Sequence, residues 1–209
     1  MTRLHYPNQP FSPAPSHSFF LDTSFIIAGI GKRPQCYALL DSLLGHPLHL
    51  SELVWAEALH VLTKTLVGND FRALLWGRPR DLLNPEAALA LRDLGLSRKE
   101  YKDRLVFEAV YSDVLKRGTL GEKALLVPYQ NLAAAALQTF VDRTEAETLG
   151  LGGEDRLMAG NLMRQVPLDS YDALHLAVAF RAGCSHLVTR DADFGLASEV
   201  CPVAVLQVA

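Results

Sequence analysis

Apolar positions along the chain fall into two spacings. Phe19, Phe20 and Leu21 form an unbroken apolar run, and "PLHL", "AETLGL", "SHLVT" and "CPVAVLQV" are further short segments of strand length. Between them lie longer segments of helical period. "RPQCYALLDSLLGH" spaces its Leu residues helically and has Pro34 in a first-turn position. "SELVWAEALHVLTKTL" does the same behind Ser51, a candidate N-cap. From Asn69 to Thr144 the pattern stays helical with Gly and Pro breaks, and "LSRKEYKDRLVFEAVYSDVLKRG" and "PYQNLAAAALQTFVDRTEAE" are its longest helix candidates. "EDRLMAGNLMRQ" is another helix. "YDALHLAVAFRAG" is a helix that Asp169 or Ser170 caps and Gly183 ends. Asp22 and Thr23 simply break the first apolar run.

Short apolar strands alternating with helices predict a three-layer α/β/α parallel sheet, covered on both faces. Four prolines in residues 1–18 (Pro7, Pro10, Pro13, Pro15) predict an extended, loosely ordered lead-in. Residues 19–209 then read as one domain with a helical insertion at about 69–144.

Composition narrows the class. Of 209 residues, 49% are apolar and 21% charged, with a formal net charge of −3. That suits a soluble globular protein and lacks the basic footprint of most nucleic-acid binders. Cys36, Cys184 and Cys201 are odd in number and far apart. They suit neither a disulfide framework nor a zinc site, and a reducing cytoplasm is the plain expectation. Cys184 reads as a small buried hydrophobe. No apolar run approaches the roughly 18 residues of a membrane span, and the N-terminus lacks a signal-peptide core.

The chemistry follows from the topology. In a parallel sheet, strand C-termini and helix N-termini share one edge, and ligands bind there. Asp22 follows the first strand and Asp191 follows "LVT". Asp172 lies in the first turn of its helix and Glu57 in the second turn of another. Four carboxylates distant in sequence therefore converge on one rim. Each also has a plainer reading. Asp22 could be a turn residue or helix cap, Glu57 a surface residue, and Asp172 a complement to the helix dipole. Asp169 is the better N-cap candidate beside Asp172. Asp191 and Asp193 compete for the fourth position; Asp191 is nearer the strand, and Asp193 suits a cap before Phe194. His175, one turn after Asp172 on the same side, is more often a structural group than a ligand. Burying like charges unpaired costs on the order of several kcal/mol each. A Mg²⁺ or Mn²⁺ ion, which prefers oxygen ligands, removes that repulsion and can activate water against a phosphodiester. This is nuclease chemistry. A non-catalytic RNA-binding or adaptor module is the alternative class, disfavoured because all four carboxylates are present. A phosphatase would want a second Asp two residues after the first, where Ser24 stands, and no Gly-rich phosphate loop follows the first strand.

"FFLDTSFIIAGI", "LSELVWAEALHVL" and "DALHLAVAFRAGCSHLVTRDADF" resemble, in this order, the three sequence blocks of the PIN-domain family. The resemblance covers roughly residues 18–68 and 145–207. It implies a Mg²⁺- or Mn²⁺-dependent ribonuclease acting on RNA, of the kind that includes VapC-type toxins with an antitoxin partner. It implies that Asp22, Glu57, Asp172 and Asp191 are the acidic positions, with Glu57 six residues after Ser51. It implies that Thr23, Ser24 and Thr189 are supporting hydroxyls, and that the chain forms a homodimer. Surplus apolar residues around Trp55 would supply the dimer contact.

The stretch between Glu57 and Asp172 is far longer than in compact members of that family. From Asn69 to Val127 it holds eleven Lys and Arg against nine Asp and Glu, a charge of +2 against −5 for the rest. The plain reading is the solvated face of an extra helical layer. The functional reading is that Arg98, Lys99 and Lys102, at helical spacing, contact a phosphate backbone.

Overall fold

A computed structural model describes residues 4–5, 11–69, 107 and 111–208. Arg98, Lys99 and Lys102 lie outside the described residues. The strands are β1 (Leu4–His5), β2 (Phe19–Leu21), β3 (Leu48–Ser51), β4 (Glu147–Leu149), β5 (His186–Thr189) and β6 (Ala204–Gln207). They form one sheet in the order β1-β6-β5-β2-β3-β4, with every pairing parallel. The helices are α1 (Thr23–Ile30), α2 (Pro34–Leu43), α3 (Glu52–Asn69), α4 (Leu120–Ala124), α5 (Val127–Thr144), α6 (Gly153–Gln165) and α7 (Ser170–Arg181). Residues 111–117 are also helical, and a 3₁₀ segment spans Asp193–Glu199.

The sheet explains the apolar runs. Phe19, Phe20 and Leu21 are all fully buried, as are Leu187 and Val188 in β5, because helices cover both faces. The chain steps from β2 to β3 and β4 on one side, and from β5 to β6 and the short β1 on the other. The crevice between β2 and β5 is therefore the point where strand order reverses, the usual ligand position in open parallel sheets.

Local signals act as read. Pro34 opens α2, and Ser51 Oγ accepts the N–H of Val54 at 3.1 Å at the head of α3. Asp169 Oδ1 accepts the N–H groups of Tyr171 and Asp172 at 2.7 and 2.9 Å, so Asp169 is the N-cap of α7. Gly183 follows α7 with φ +69°, a conformation that favours glycine. The structure adds a helix, α1, that the sequence reading did not place. Of the plainer readings of Asp22 it bears out the helix cap, through Ser24 N at 3.1 Å. That helix shows no amphipathic stripe because Phe25, Ile26, Ala28 and Gly29 are all buried. A second departure concerns apolar surface. Trp55 is half-buried; the exposed large apolar residues around the sheet are Leu44, Leu157, Met163, Tyr171, Phe180 and Leu196.

The chain forms two compact units, residues 1–59 with 135–209, and residues 60–134. The first contains the sheet. The second has a small core of its own, Val67, Phe107, Tyr111, Val114 and Leu126, with Tyr129 against it. Thr119 and Glu122 form a reciprocal capping box at the start of α4.

Candidate active site

The site is built from the loops and helix starts at the carboxyl ends of β2, β3 and β5. Asp22 sits directly after β2, is 4% exposed, and receives three hydrogen bonds on Oδ2. The donors are Ser24 N at 3.1 Å, Ser24 Oγ at 2.6 Å and Thr189 Oγ1 at 2.9 Å. Each hydroxyl has one proton, and each gives it to Asp22. Each then accepts a backbone N–H: Ser24 Oγ from Arg190 at 2.8 Å, Thr189 Oγ1 from Asp191 at 2.9 Å. These hydroxyls thus bind the turn after β5 to the acid after β2, across the crevice. Asp22 N donates to Val188 O at 3.0 Å and closes the same joint from the backbone.

Glu57, on the first unit's part of α3, is held separately. Its Oε2 accepts Thr23 Oγ1 at 2.7 Å and lies 3.3 Å from His175 Nε2. Thr23, Ser24 and Thr189 therefore all serve carboxylates. His175 is a partner of Glu57, a link that sequence reasoning missed. The available signal was its position one turn after Asp172, on the same side of α7.

Asp172 lies in the first turn of α7. Its pKa is raised to about 7, first by burial, then by the charges of Asp169, Asp191 and Asp22, with His175 acting in the opposite sense. Of the four acids expected at one rim, Asp22 and Asp191 thus act on Asp172, and Asp169 joins them; Glu57 is not among the groups that do. The contribution of Asp169 is hidden in the sequence, since its cap role masks its charge. Asp193 is absent from the groups acting on Asp172. Its backbone N–H donates to Asp191 Oδ1 at 2.9 Å, so Asp191, rather than Asp193, caps the turn before Phe194. Arg190, the nearest cation in sequence, exerts its charge on Cys36 in α2, and its Nε is buried without a hydrogen-bond partner. Cys36, Cys184 and Cys201 are buried thiols outside any disulfide; burial pushes the Cys184 thiol up to about 12, which leaves it inert.

The donors are all hard oxygens, and burial, followed by the charges of Asp169, Asp191 and Asp22, raises the pKa of Asp172 to about 7. Both features fit a divalent cation such as Mg²⁺ or Mn²⁺. Among the described residues, no three His, Cys, Asp or Glu side chains are grouped at metal-holding distance; Asp22, Asp172 and Asp191 share a field without forming such a group. Also among the described residues, no helix is long and apolar enough to cross a membrane.

No curated protein sequence matches the chain. The fold is similar to a chain in the crystal structure of VapBC2 from Rickettsia felis bound to a DNA fragment from their promoter. Identity is 15% and the TM-score 0.48, over 91% of this chain and 98% of that one. The family model described as PIN domain matches residues 19–199, which span β2 to β5, all four acids and the hydroxyls that hold Asp22 and Glu57; the chain belongs to the PIN-domain family.

Proposed function

We propose that the chain is a divalent-metal-dependent endoribonuclease, with Asp22, Glu57, Asp172 and Asp191 as the residues that hold Mg²⁺ or Mn²⁺. PIN domains are generally nucleases that use divalent metals. The observation that carries the reading is the hydrogen-bonded joint at the carboxyl ends of β2 and β5, where Ser24 and Thr189 hold Asp22, with the pKa of Asp172 raised first by burial and then by the charges of Asp169, Asp191 and Asp22. A bound ion supplies an activated water and stabilises charge on the phosphodiester. The chain's own residues do the rest. Ser24 and Thr189 fix Asp22, Thr23 and His175 fix Glu57, and the hydrogen-bonded turn after β5 presents Asp191. Asp172, with its pKa raised to about 7, would hold the ion as a carboxylate, and a nearby cation would favour that charged form.

In the same reading the protein works in the cytoplasm as a VapC-type toxin. It takes RNA as substrate, an antitoxin protein as partner and a second copy as dimer mate. Arg98, Lys99 and Lys102 contact the RNA backbone, and Asp193 has a supporting place beside Asp191.

The test is cleavage of a panel of structured RNAs by the full chain with Mg²⁺, Mn²⁺ or EDTA. Cleavage is expected with either ion and absent in EDTA. Asp22→Asn keeps a cap-competent side chain but is expected to lower cleavage by more than the roughly 10–100-fold that loss of an outer-shell partner costs. Cleavage that survives EDTA would refute the metal role. RNA binding without cleavage under every condition would move the chain to the adaptor class.

A further inference from the structure

We propose that His175 is a positioning residue that locks Glu57 in the orientation the metal site needs, an inference that rests on the metal-dependent reading above. His175 is 1% exposed, on α7, and its ring lies 6.2 Å from that of Phe20 in the central strand. Its Nε2 is 3.3 Å from Glu57 Oε2. The carboxylate oxygen accepts, so Nε2 carries the hydrogen and donates it. The other ring nitrogen, Nδ1, is buried and has no hydrogen-bond partner. The imidazole therefore has a single polar anchor, and that anchor is a Glu whose side chain is 41% exposed.

An imidazole is a costly group at a core position. Burying one of its nitrogens with no partner costs free energy that an aliphatic side chain of similar volume avoids. The bond to Glu57 does not offset that cost as a structural link, because a half-exposed carboxylate could equally bond to water. What the bond does is geometric. Thr23 Oγ1, at the head of α1, donates to the same Oε2 at 2.7 Å. Two donors from two elements, α1 and α7, thus fix one oxygen of a carboxylate carried by a third, α3. A Glu side chain left alone loses considerable rotamer freedom on binding an ion; one already clamped loses less. The bond also joins the helix of Glu57 to the helix of Asp172, one turn from Asp172 itself.

The experiment measures Mn²⁺ affinity of the full chain from the rise of its melting temperature with Mn²⁺ concentration. His175→Phe keeps a ring and deletes the donor. It is expected to weaken Mn²⁺ binding about 10–100-fold, the usual effect of losing a group that orients a ligand. His175→Gln, whose Nε2 can reach the same oxygen, is expected to recover most of it. In a Glu57→Ala background His175→Phe is expected to add no further loss, since its effect passes through Glu57. An affinity for His175→Phe within about twofold of wild type, or an equal loss with and without Glu57, overturns the proposal. Should His175→Phe not fold, ¹⁵N spectra of the wild type decide. Mg²⁺ is expected to shift the His175 Nε2 resonance in the wild type and not in Glu57→Ala, and the same shift in both overturns it. Asp22→Asn separates the two levels of the argument. If the wild type responds to Mn²⁺, Asp22→Asn does not, and His175→Phe behaves as wild type, only the role of His175 fails. A wild-type melting temperature blind to both Mn²⁺ and EDTA refutes the metal reading and this one with it.

Discussion

The two rims of one sheet have opposite chemistry. At the amino ends of the strands, rings close the edge. His186 stacks on Phe19 with centroids 5.3 Å apart, and His17 lies 4.6 Å from His186. Phe11 meets Phe19 edge-on at 5.9 Å, and His46 does so at 5.7 Å. Ser185 Oγ ties this rim to the backbone of Ser18 at 2.8 Å. At the carboxyl ends, a few residues along the same strands, hydroxyls and carboxylates replace the rings. Phe19 and Asp22 stand at opposite ends of β2, and His186 and Thr189 at opposite ends of β5. The first rim gains stability from contact. The second accumulates like charge, which costs stability until something cationic arrives. The contrast is what a site built on a rigid scaffold should show: the strain is confined to one edge, and the opposite edge holds the strands in register.

The largest expected effect breaks the comparison from the packed side. Phe19→Ala removes a fully buried ring and is expected to lower stability by about 3–5 kcal/mol. The Mn²⁺ affinity of the molecules that remain folded should stay within about twofold of wild type. Denaturant unfolding with and without Mn²⁺ measures both. If metal binding falls with stability beyond that factor, the two rims are not separable.

The sequence displays the charged rim more fully than the packed one, for a physical reason. Strand ends are marked by abrupt changes from apolar to polar, so Asp22 after Phe19–Leu21 and Asp191 after "LVT" stand out. Rings that meet across strands leave no mark in the one-dimensional pattern. Phe11 and His17, His46, and His186 belong to three separate segments, and the parallel register brings those segments together. The same limit hides α1. Its partly buried face carries Ile27 and Ile30, as apolar as the buried faces, which erases the amphipathic period; Asp22 is legible as a possible cap, but the helix behind it is not. Glu57 and His175 are each visible; their hydrogen bond, between helices 118 positions apart, is not. Sequence distance to Phe194 favours Asp193 for the cap, yet the role belongs to Asp191, because Asp191 Oδ1 reaches forward two residues.

A smaller effect sharpens the comparison from the charged side. Asp172 has a folded pKa of about 7 against an ordinary value of 3.8, so near pH 5–6 the folded chain binds a proton there that the unfolded chain has released. The metal-free protein should therefore lose stability as pH rises from about 4 to 7, and carry the full penalty above 7. Partial exposure of Asp172 screens the effect, and we expect about 1–2 kcal/mol. Asp172→Asn should flatten this slope and raise the metal-free melting temperature at pH 8 by a few degrees, at roughly 2–4 °C per kcal/mol. With saturating Mn²⁺ the order should reverse, because the wild type gains binding energy that the neutral amide of the variant cannot supply. A metal-free melting curve equally pH-dependent in both proteins would show that Asp172 does not carry the repulsion.

The smallest effect separates two roles of one residue. Asp169 holds the first turn of α7 through Tyr171 N and Asp172 N, and its charge also raises the pKa of Asp172. These contributions oppose each other above pH 7: the cap stabilises, while the charge repels. Asp169→Asn keeps an oxygen that can accept the same N–H groups and deletes the charge. Asp169→Ala deletes both. An N-cap lost to Ala costs about 0.5–2 kcal/mol, whereas Asn caps about as well as Asp. At pH 8 without metal, Asp169→Asn should be slightly more stable than wild type, by a few tenths of a kcal/mol, the size of a screened surface charge effect. Asp169→Ala should be less stable than Asp169→Asn by about 1 kcal/mol. In both variants, ¹³C detection of the Asp172 carboxyl should show its midpoint moving down from about 7. If the midpoint stays put in both, the crowding at Asp172 comes from burial with Asp22 and Asp191 alone, and Asp169 belongs only to the helix it caps.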